Sequence, residues 1–372
     1  MMRLGWLVLV LTGLNVVGVQ AQGSSTSVKP ISSTTIMDLA PVHQIDFAGL
    51  ADLQGHSLDV VNGWFALSPD GSLIALKSDD NQVVVVDAEG NVQQVYAAPL
   101  DRAQDDLPAT FIDAAFSPDG RWLASAHTLG SDLYVVVLSL DGAFEPVEQV
   151  FPQAGYPTRV WISTSNEIWL EMVPDMSRDD PRPYLLAAWA LEPCDSAPCS
   201  DLPMEYPSGP DQDADSFVRV GRIRQDAAIT VTQDFVAKRW DLVAGEVVAT
   251  GQLNALPGMG ALTPNLRFFA WRDNESMELR LLDFDIGMDR LITPLNGAYI
   301  PFLLLDPTGD VIIGVHVAGD DRVTAWLVQD GERLDLGMYR ACNRPPDLAA
   351  LNLQGTQFVI GCDLGLEIWR AE

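Results

Sequence analysis

Trp64-Phe-Ala-Leu-Ser68-Pro69-Asp70-Gly71-Ser-Leu-Ile-Ala-Leu-Lys77 sets a Ser-Pro-Asp-Gly turn between two apolar runs. Proline presets the backbone of the second turn position and glycine accepts a left-handed one, so the stretch reads as two short antiparallel strands joined by a tight turn. Ser117-Pro118-Asp119-Gly120 repeats the tetrapeptide in the same setting, and worn copies follow at Thr263-Pro264-Asn265, Asp306-Pro307-Thr308-Gly309 and Gln354-Gly355. A turn that returns roughly every 40 to 60 residues predicts one small antiparallel unit repeated along the chain.

Outward from the turns, the first unit holds Trp64 to Ser68, Leu73 to Lys77, Val83 to Asp87 and Val92 to Tyr96. The second holds Ala114 to Ser117, Trp122 to His127, Leu133 to Ser139 and Val147 to Phe151. Less regular runs mark a third unit (Arg159 to Ser163, Ile168 to Val173, Tyr184 to Leu191) and a fourth (Val218 to Ile223, Ala228 to Thr232, Phe235 to Asp241, Glu246 to Gly251). The fifth begins at Ala261 and the sixth at Phe302. The seventh offers only Ala349 to Leu353, Gln357 to Cys362 and Leu366 to Arg370, and Val42 to Phe47 can supply its missing outer strand. The expected fold is all-β: a seven-bladed β-propeller of four-stranded antiparallel blades over residues 39–372, closed by pairing the N-terminal strand with the last blade. Six or eight blades stay open as alternatives, because the third and fourth units carry weak turn signals.

Gly55-His56 precedes the first Ser-Pro-Asp-Gly, and Trp240-Asp241 ends the third run of the fourth unit. In these letters the chain resembles the WD-repeat propellers, and its Ser-Pro-Asp-Gly turns are similar to those of Tol-type periplasmic propellers. The resemblance implies a scaffold that binds partners. No blade holds both pairs, so the hydrogen-bonded set that they form in the family is incomplete, and packing of residues such as Trp122, Trp271 and Trp326 must replace it.

Arg3 followed by the apolar stretch Leu4 to Val19 and the small-residue pattern Val19-Gln20-Ala21 reads as a signal peptide, residues 1–21, with a retained anchor as the alternative. Residues 22–38 are rich in Ser and Thr and are expected to be a flexible linker. No later apolar run is long enough to insert in a membrane. The expected location is exported: periplasmic, cell-surface or extracellular. Four cysteines in such a chain suggest two disulfides, Cys194 with Cys199 and Cys342 with Cys362.

With 51 acidic residues against 22 basic ones and a net charge of −29, the chain repels phosphate backbones and anionic lipid, so nucleic acid is excluded as a partner. Seven residues past the turn glycines stand Ser78, His127, His316 and Cys362, equivalent positions near the ends of the second strands. Two histidines in distant blades cannot reach one zinc ion, so no metal is assigned to them. Two long acidic insertions leave the third unit, one with Asp175, Asp179 and Asp180 and the other with Asp211, Asp213 and Asp215. The latter alternate as in a calcium loop, but Ser216 and Arg222 replace the glycine and closing acid that such a loop needs.

These acids, with His127 and His316, form the expected partner surface, on the face opposite the Ser-Pro-Asp-Gly turns. No Gly-x-Ser-x-Gly, His-Glu-x-x-His or phosphate-binding loop occurs, so no catalytic residue and no cofactor are assigned. The expectation is a non-catalytic monomer that binds a protein or peptide. The alternative is a lactonase-like or quinoprotein-like enzyme using the central channel.

Overall fold

A computed structural model of the chain describes residues 28–50, 64–78, 81–96, 110–130, 132–142, 146–151, 156–162, 167–173, 184–190, 193–194, 197–198, 204–205, 227–231, 234–241, 246–255, 257–317, 322–340, 342, 346, 348–362 and 364–371. Among these residues the structure is strands and short turns, with 3-10 turns at Ile36–Asp38 and Phe47–Gly49. Six sheets have four strands, one has three, and a two-stranded hairpin joins Pro193–Cys194 to Ala197–Pro198.

The first sheet is Phe65–Leu67, Leu73–Lys77, Val83–Asp87 and Val92–Tyr96, in that order, each strand antiparallel to the last. The second (Thr110–Phe116, Trp122–Leu129, Asp132–Ser139, Val147–Phe151), the fifth (from Pro257–Leu262 to Met288–Pro294) and the sixth (from Phe302–Leu305 to Arg333–Met338) repeat this order. In the seventh, Leu39–Asp46 pairs outside Gly365–Ala371, as expected from the sequence.

One hydrogen-bond pattern builds five of the turns. The side chain of the first turn residue accepts the N–H five positions on: Leu73 donates to Ser68 Oγ (2.9 Å), Trp122 to Ser117 Oγ (2.9 Å) and Phe268 to Thr263 Oγ1 (3.0 Å). Val311 donates to Asp306 Oδ1 (2.7 Å) and Gln357 to Asn352 Oδ1 (3.0 Å). Ser, Thr, Asp and Asn are interchangeable here because each is short and carries an acceptor at the right reach, which satisfies an otherwise orphaned N–H. All five side chains are buried.

The turns also overlap. A Cβ added at Gly71 would come 3.2 Å from Asn352 of the seventh sheet, at Gly120 3.7 Å from Pro69 of the first, and at Gly355 2.3 Å from Pro307 of the sixth. Gly355 therefore serves twice, through its φ of +68° and through its missing side chain.

Strands buried on both faces read as continuous apolar runs, and Val83-Val-Val-Val86 shows why. Val84 and Val86 pack with Val359, Leu366 and Ile368 of the seventh sheet, whereas Val83 and Val85 pack with Leu123 and Leu138 of the second. Further clusters join second to third, fourth to fifth, fifth to sixth and sixth to seventh. The stacking order is thus fourth, fifth, sixth, seventh, first, second, third.

Three expectations need correction or extension. The second half of the supposed flexible linker is built into the fold: Ile31 and Ile36 are each 1% exposed and wedge between sixth and seventh sheets, and Ile31 N–H donates to Gly355 O (2.7 Å). Two isoleucines in a Ser/Thr-rich segment provide the apolar area that offsets its ordering. The third sheet gains a fourth strand, Met204–Glu205, paired with Tyr184–Ala190 across the intervening hairpin. In the fourth, Ala227–Val231, Val236–Asp241 and Glu246–Gln252 match the second to fourth expected runs, while Val218 to Ile223 lies outside the described residues. The expected signal peptide also lies outside them.

Candidate functional site

Phe65–Leu67, Thr110–Phe116, Tyr156–Ile162 and Leu348–Leu351 are each the terminal strand of a sheet, paired on one side only. They surround a cavity of about 470 Å³ whose wall includes Phe65, Leu67, Ile112, Val160, Leu348 and Leu351. Two ionisable side chains, Asp113 and Arg159, line it as well.

Asp113 sits where the register between Thr110–Phe116 and Trp122–Leu129 shifts by a bulge, which re-aims its side chain. Its Oδ1 accepts the Trp64 Nε1–H of the first sheet (3.2 Å) and its Oδ2 accepts the Val160 N–H of the third (3.0 Å). One carboxylate of the second sheet thus ties together its two neighbours. Burial pushes its pKa up to about 6, against the lowering effects of the Val160 hydrogen bond and the Arg159 charge. The available sequence signal was an acid inside the apolar run Thr110-Phe-Ile-Asp-Ala-Ala-Phe116, and the sequence reading passed over it.

An aromatic row continues from this acid. Trp64 meets Phe111 edge-on at 4.7 Å, and Phe111 meets His127 edge-on at 5.5 Å. His127 Nε2 lies 3.0 Å from Ser125 Oγ, while Nδ1 has no hydrogen-bond partner among the described residues. Burial alone lowers its pKa to about 4, so it is neutral above that value.

The histidines are therefore not a partner surface. His127 and His316 are each 2% exposed. His316 Nε2 lies 2.6 Å from Thr324 Oγ1, its ring stacks on Trp326 at 6.3 Å, and its carbonyl accepts from Tyr339 Oη (2.8 Å). The equivalence of the four positions does hold: Ser78 and Cys362 are fully buried too. Ser78 Oγ accepts from Gln82 N–H (2.8 Å), and Cys362 stands at disulfide distance from Cys342, with Cα atoms 5.1 Å apart. Ser78, His316 and Cys362 tie the end of a second strand to a neighbouring segment from inside, whereas His127 bonds within its own strand.

Asp175, Asp179, Asp180, Asp211, Asp213, Asp215 and Cys199 lie outside the described residues. Among the described ones, no group of three His, Cys, Asp or Glu is placed to hold a metal ion, and no helix is long and apolar enough to cross a membrane.

On the face opposite the turns, the passage from fifth to sixth sheet presents Tyr299, which is 52% exposed. Beneath its ring, 5.3 Å from the centroid, lies the guanidinium of Arg272. Arg272 is itself buried, donating Nε and Nη2 to Asn274 Oδ1 (3.0 and 2.8 Å) and Nη1 to Ile300 O (3.1 Å). An exposed ring held on a fixed cation is a rigid contact group. Leu364, in the link between second and third strands of the seventh sheet, is 45% exposed on the same face.

The turn face carries exposed groups too: Ile286, 64% exposed, lies between third and fourth strands of the fifth sheet, and the Arg267 guanidinium lies 4.6 Å over the Phe268 ring. Burial would raise the Asp70 carboxyl, but hydrogen bonds from Ser72 and Ser68 outweigh that and hold it below the usual range. Its Oδ1 accepts all three of these hydrogen bonds, from Ser68 Oγ, Ser72 N–H and Ser72 Oγ, within the turn.

Comparison with solved structures places the fold. The chain is similar to the β-propeller domain of Cps50 (Swd1) from Myceliophteria thermophila, with a TM-score of 0.57 and 14% identity, over 83% of this chain and 96% of that one. The all-strand, multi-sheet architecture is that of a β-propeller. No family model matches the chain, and no relative was found among curated proteins.

Proposed function

We propose that this β-propeller is a seven-bladed, non-catalytic binding platform, exported from the cell, that takes a protein or peptide on the face opposite its Ser-Pro-Asp-Gly turns. Six inter-sheet clusters support seven blades, with the third and fourth as the remaining pair to close the ring. Cys342 and Cys362 at disulfide distance are compatible with an oxidising compartment. The platform reading itself follows the general use of such scaffolds, so the site has to carry it.

The observation that carries it is Tyr299 on Arg272, an exposed aromatic whose supporting cation is buried and hydrogen-bonded in place. Such a group adds contact area without losing side-chain freedom on binding. The net charge of −29 favours a partner with a basic surface, approached faster at low salt. The acidic insertions, Asp175 to Asp180 and Asp211 to Asp215, would extend this face.

The test is a photo-crosslinking amino acid placed at position 299, at 364 and, on the turn face, at 119, in cells that express the protein. A discrete adduct from 299 or 364 and none from 119 is expected. Adducts from 119 alone would reverse the assignment of faces.

A further inference from the structure

We infer that Asp113 is an acid-sensitive pin at the cavity wall: ionised, it holds the Trp64 indole and the Val160 amide together; protonated, it releases the indole. The inference concerns the cavity wall between first, second and third sheets, and does not depend on the proposed binding face.

The geometry makes the pin. The two oxygens of Asp113 are divided between different sheets, Oδ1 taking Trp64 and Oδ2 taking Val160. Both bonds are charge-assisted only while the carboxylate is ionised. A protonated carboxyl keeps one good acceptor oxygen and turns the other into a donor, so it cannot hold two N–H groups equally well. Val160 belongs to the backbone of a paired strand and has the shorter bond, 3.0 Å against 3.2 Å. The side chain of Trp64 is the one free to leave. Trp64 also lines the cavity, so its departure alters the cavity wall.

The surroundings place the switch in a mildly acidic range. Arg159, from the third sheet, is the charge that acts on Asp113, and the first sheet contributes the uncharged Trp64 indole. His127, on the adjoining strand of the same sheet, is turned to Ser125 and Phe111. Burial outweighs Arg159 and brings the carboxyl to about 6.

The full chain, labelled with ¹⁵N at the tryptophan indoles, tests this by NMR between about pH 7.5 and about pH 4.5. The Trp64 signal is identified by its loss in Trp64→Phe. It should shift with a midpoint near 6, and Asp113→Asn should abolish the shift. Arg159→Gln, which leaves Asp113 in place, should move the midpoint to higher pH because a stabilising positive charge is gone. A Trp64 signal that stays constant with pH would overturn the inference. So would a titration that persists in Asp113→Asn, or a midpoint unmoved by Arg159→Gln. No partner is needed, so failure here leaves the platform reading standing, and failure of that reading leaves the titration interpretable.

Discussion

The two faces of this propeller use polar residues in opposite ways. On the turn face, Ser68, Ser117, Thr263, Asp306 and Asn352 are buried and each accepts a backbone N–H of its own turn. At the other end, Asp113 reaches across sheets, Arg272 supports an exposed ring, and His127 keeps an Nδ1 without a partner among the described residues. Repetition fixes the first face, since the same turn closes the same way in the five blades that carry it. On the second face the repeat fixes the buried strand-end positions Ser78, His127, His316 and Cys362, and the links beyond them differ from blade to blade.

The sharpest way to break this contrast is to attack the turn face where turns overlap. Gly355→Val combines a left-handed backbone with a Cβ only 2.3 Å from Pro307, and should cost about 4 kcal/mol in denaturant unfolding. A value near that of an ordinary surface change would show that the overlap is not a constraint.

Replacing Cys342 and Cys362 together by serine should cost about 3 kcal/mol, the chain-entropy value for a closed loop of this length. Mass spectrometry of the non-reduced protein checks the bridge directly.

His127 sharpens the contrast through pH. Its pKa falls from 6.5 in the unfolded chain to about 4 when folded, so the unfolded state binds the extra proton between those values. The stability of neutral His127 is therefore complete above about 6.5 and is lost as pH falls toward 4. Asp113 has the opposite sign: its folded pKa of about 6 exceeds 3.8, so acidification through that window favours the folded state. The two effects largely cancel in the native chain. His127→Phe removes one of them, and its stability should fall less than that of the native chain, by about 3 kcal/mol, between pH 7 and pH 4.

A smaller effect is expected of Ser117→Ala, which removes the hydroxyl that accepts the Trp122 N–H and should cost about 1 kcal/mol without altering partner binding. Smallest is Tyr299→Ala, whose exposed ring should change stability by less than about 0.5 kcal/mol.

The legibility of the sequence follows the same division between faces. In the first unit, Leu73–Lys77, Val83–Asp87 and Val92–Tyr96 lie where their apolar runs end, because turn residues mark both limits. Counting from the turn glycines also located Ser78, His127, His316 and Cys362 as equivalents. That count could not say which way the histidines point, and burial, not exposure, proved to be what the positions share. Ile31 and Ile36 were lost in a segment whose average composition reads as linker. Asp113 was missed because its meaning depends on Trp64 and Val160, 49 and 47 residues away. Periodicity reveals what repeats, and a contact across three blades repeats nowhere.

The central claim is that binding belongs to the face opposite the turns. Once crosslinking has identified the partner, its Kd is measured by titration calorimetry against the native chain, Tyr299→Ala, and the turn-face double variant Asp70→Asn with Asp119→Asn. A loss of about tenfold or more for Tyr299→Ala, with the double variant within about twofold of native, is the predicted result. A native Kd for Tyr299→Ala together with a large loss for the double variant would contradict it.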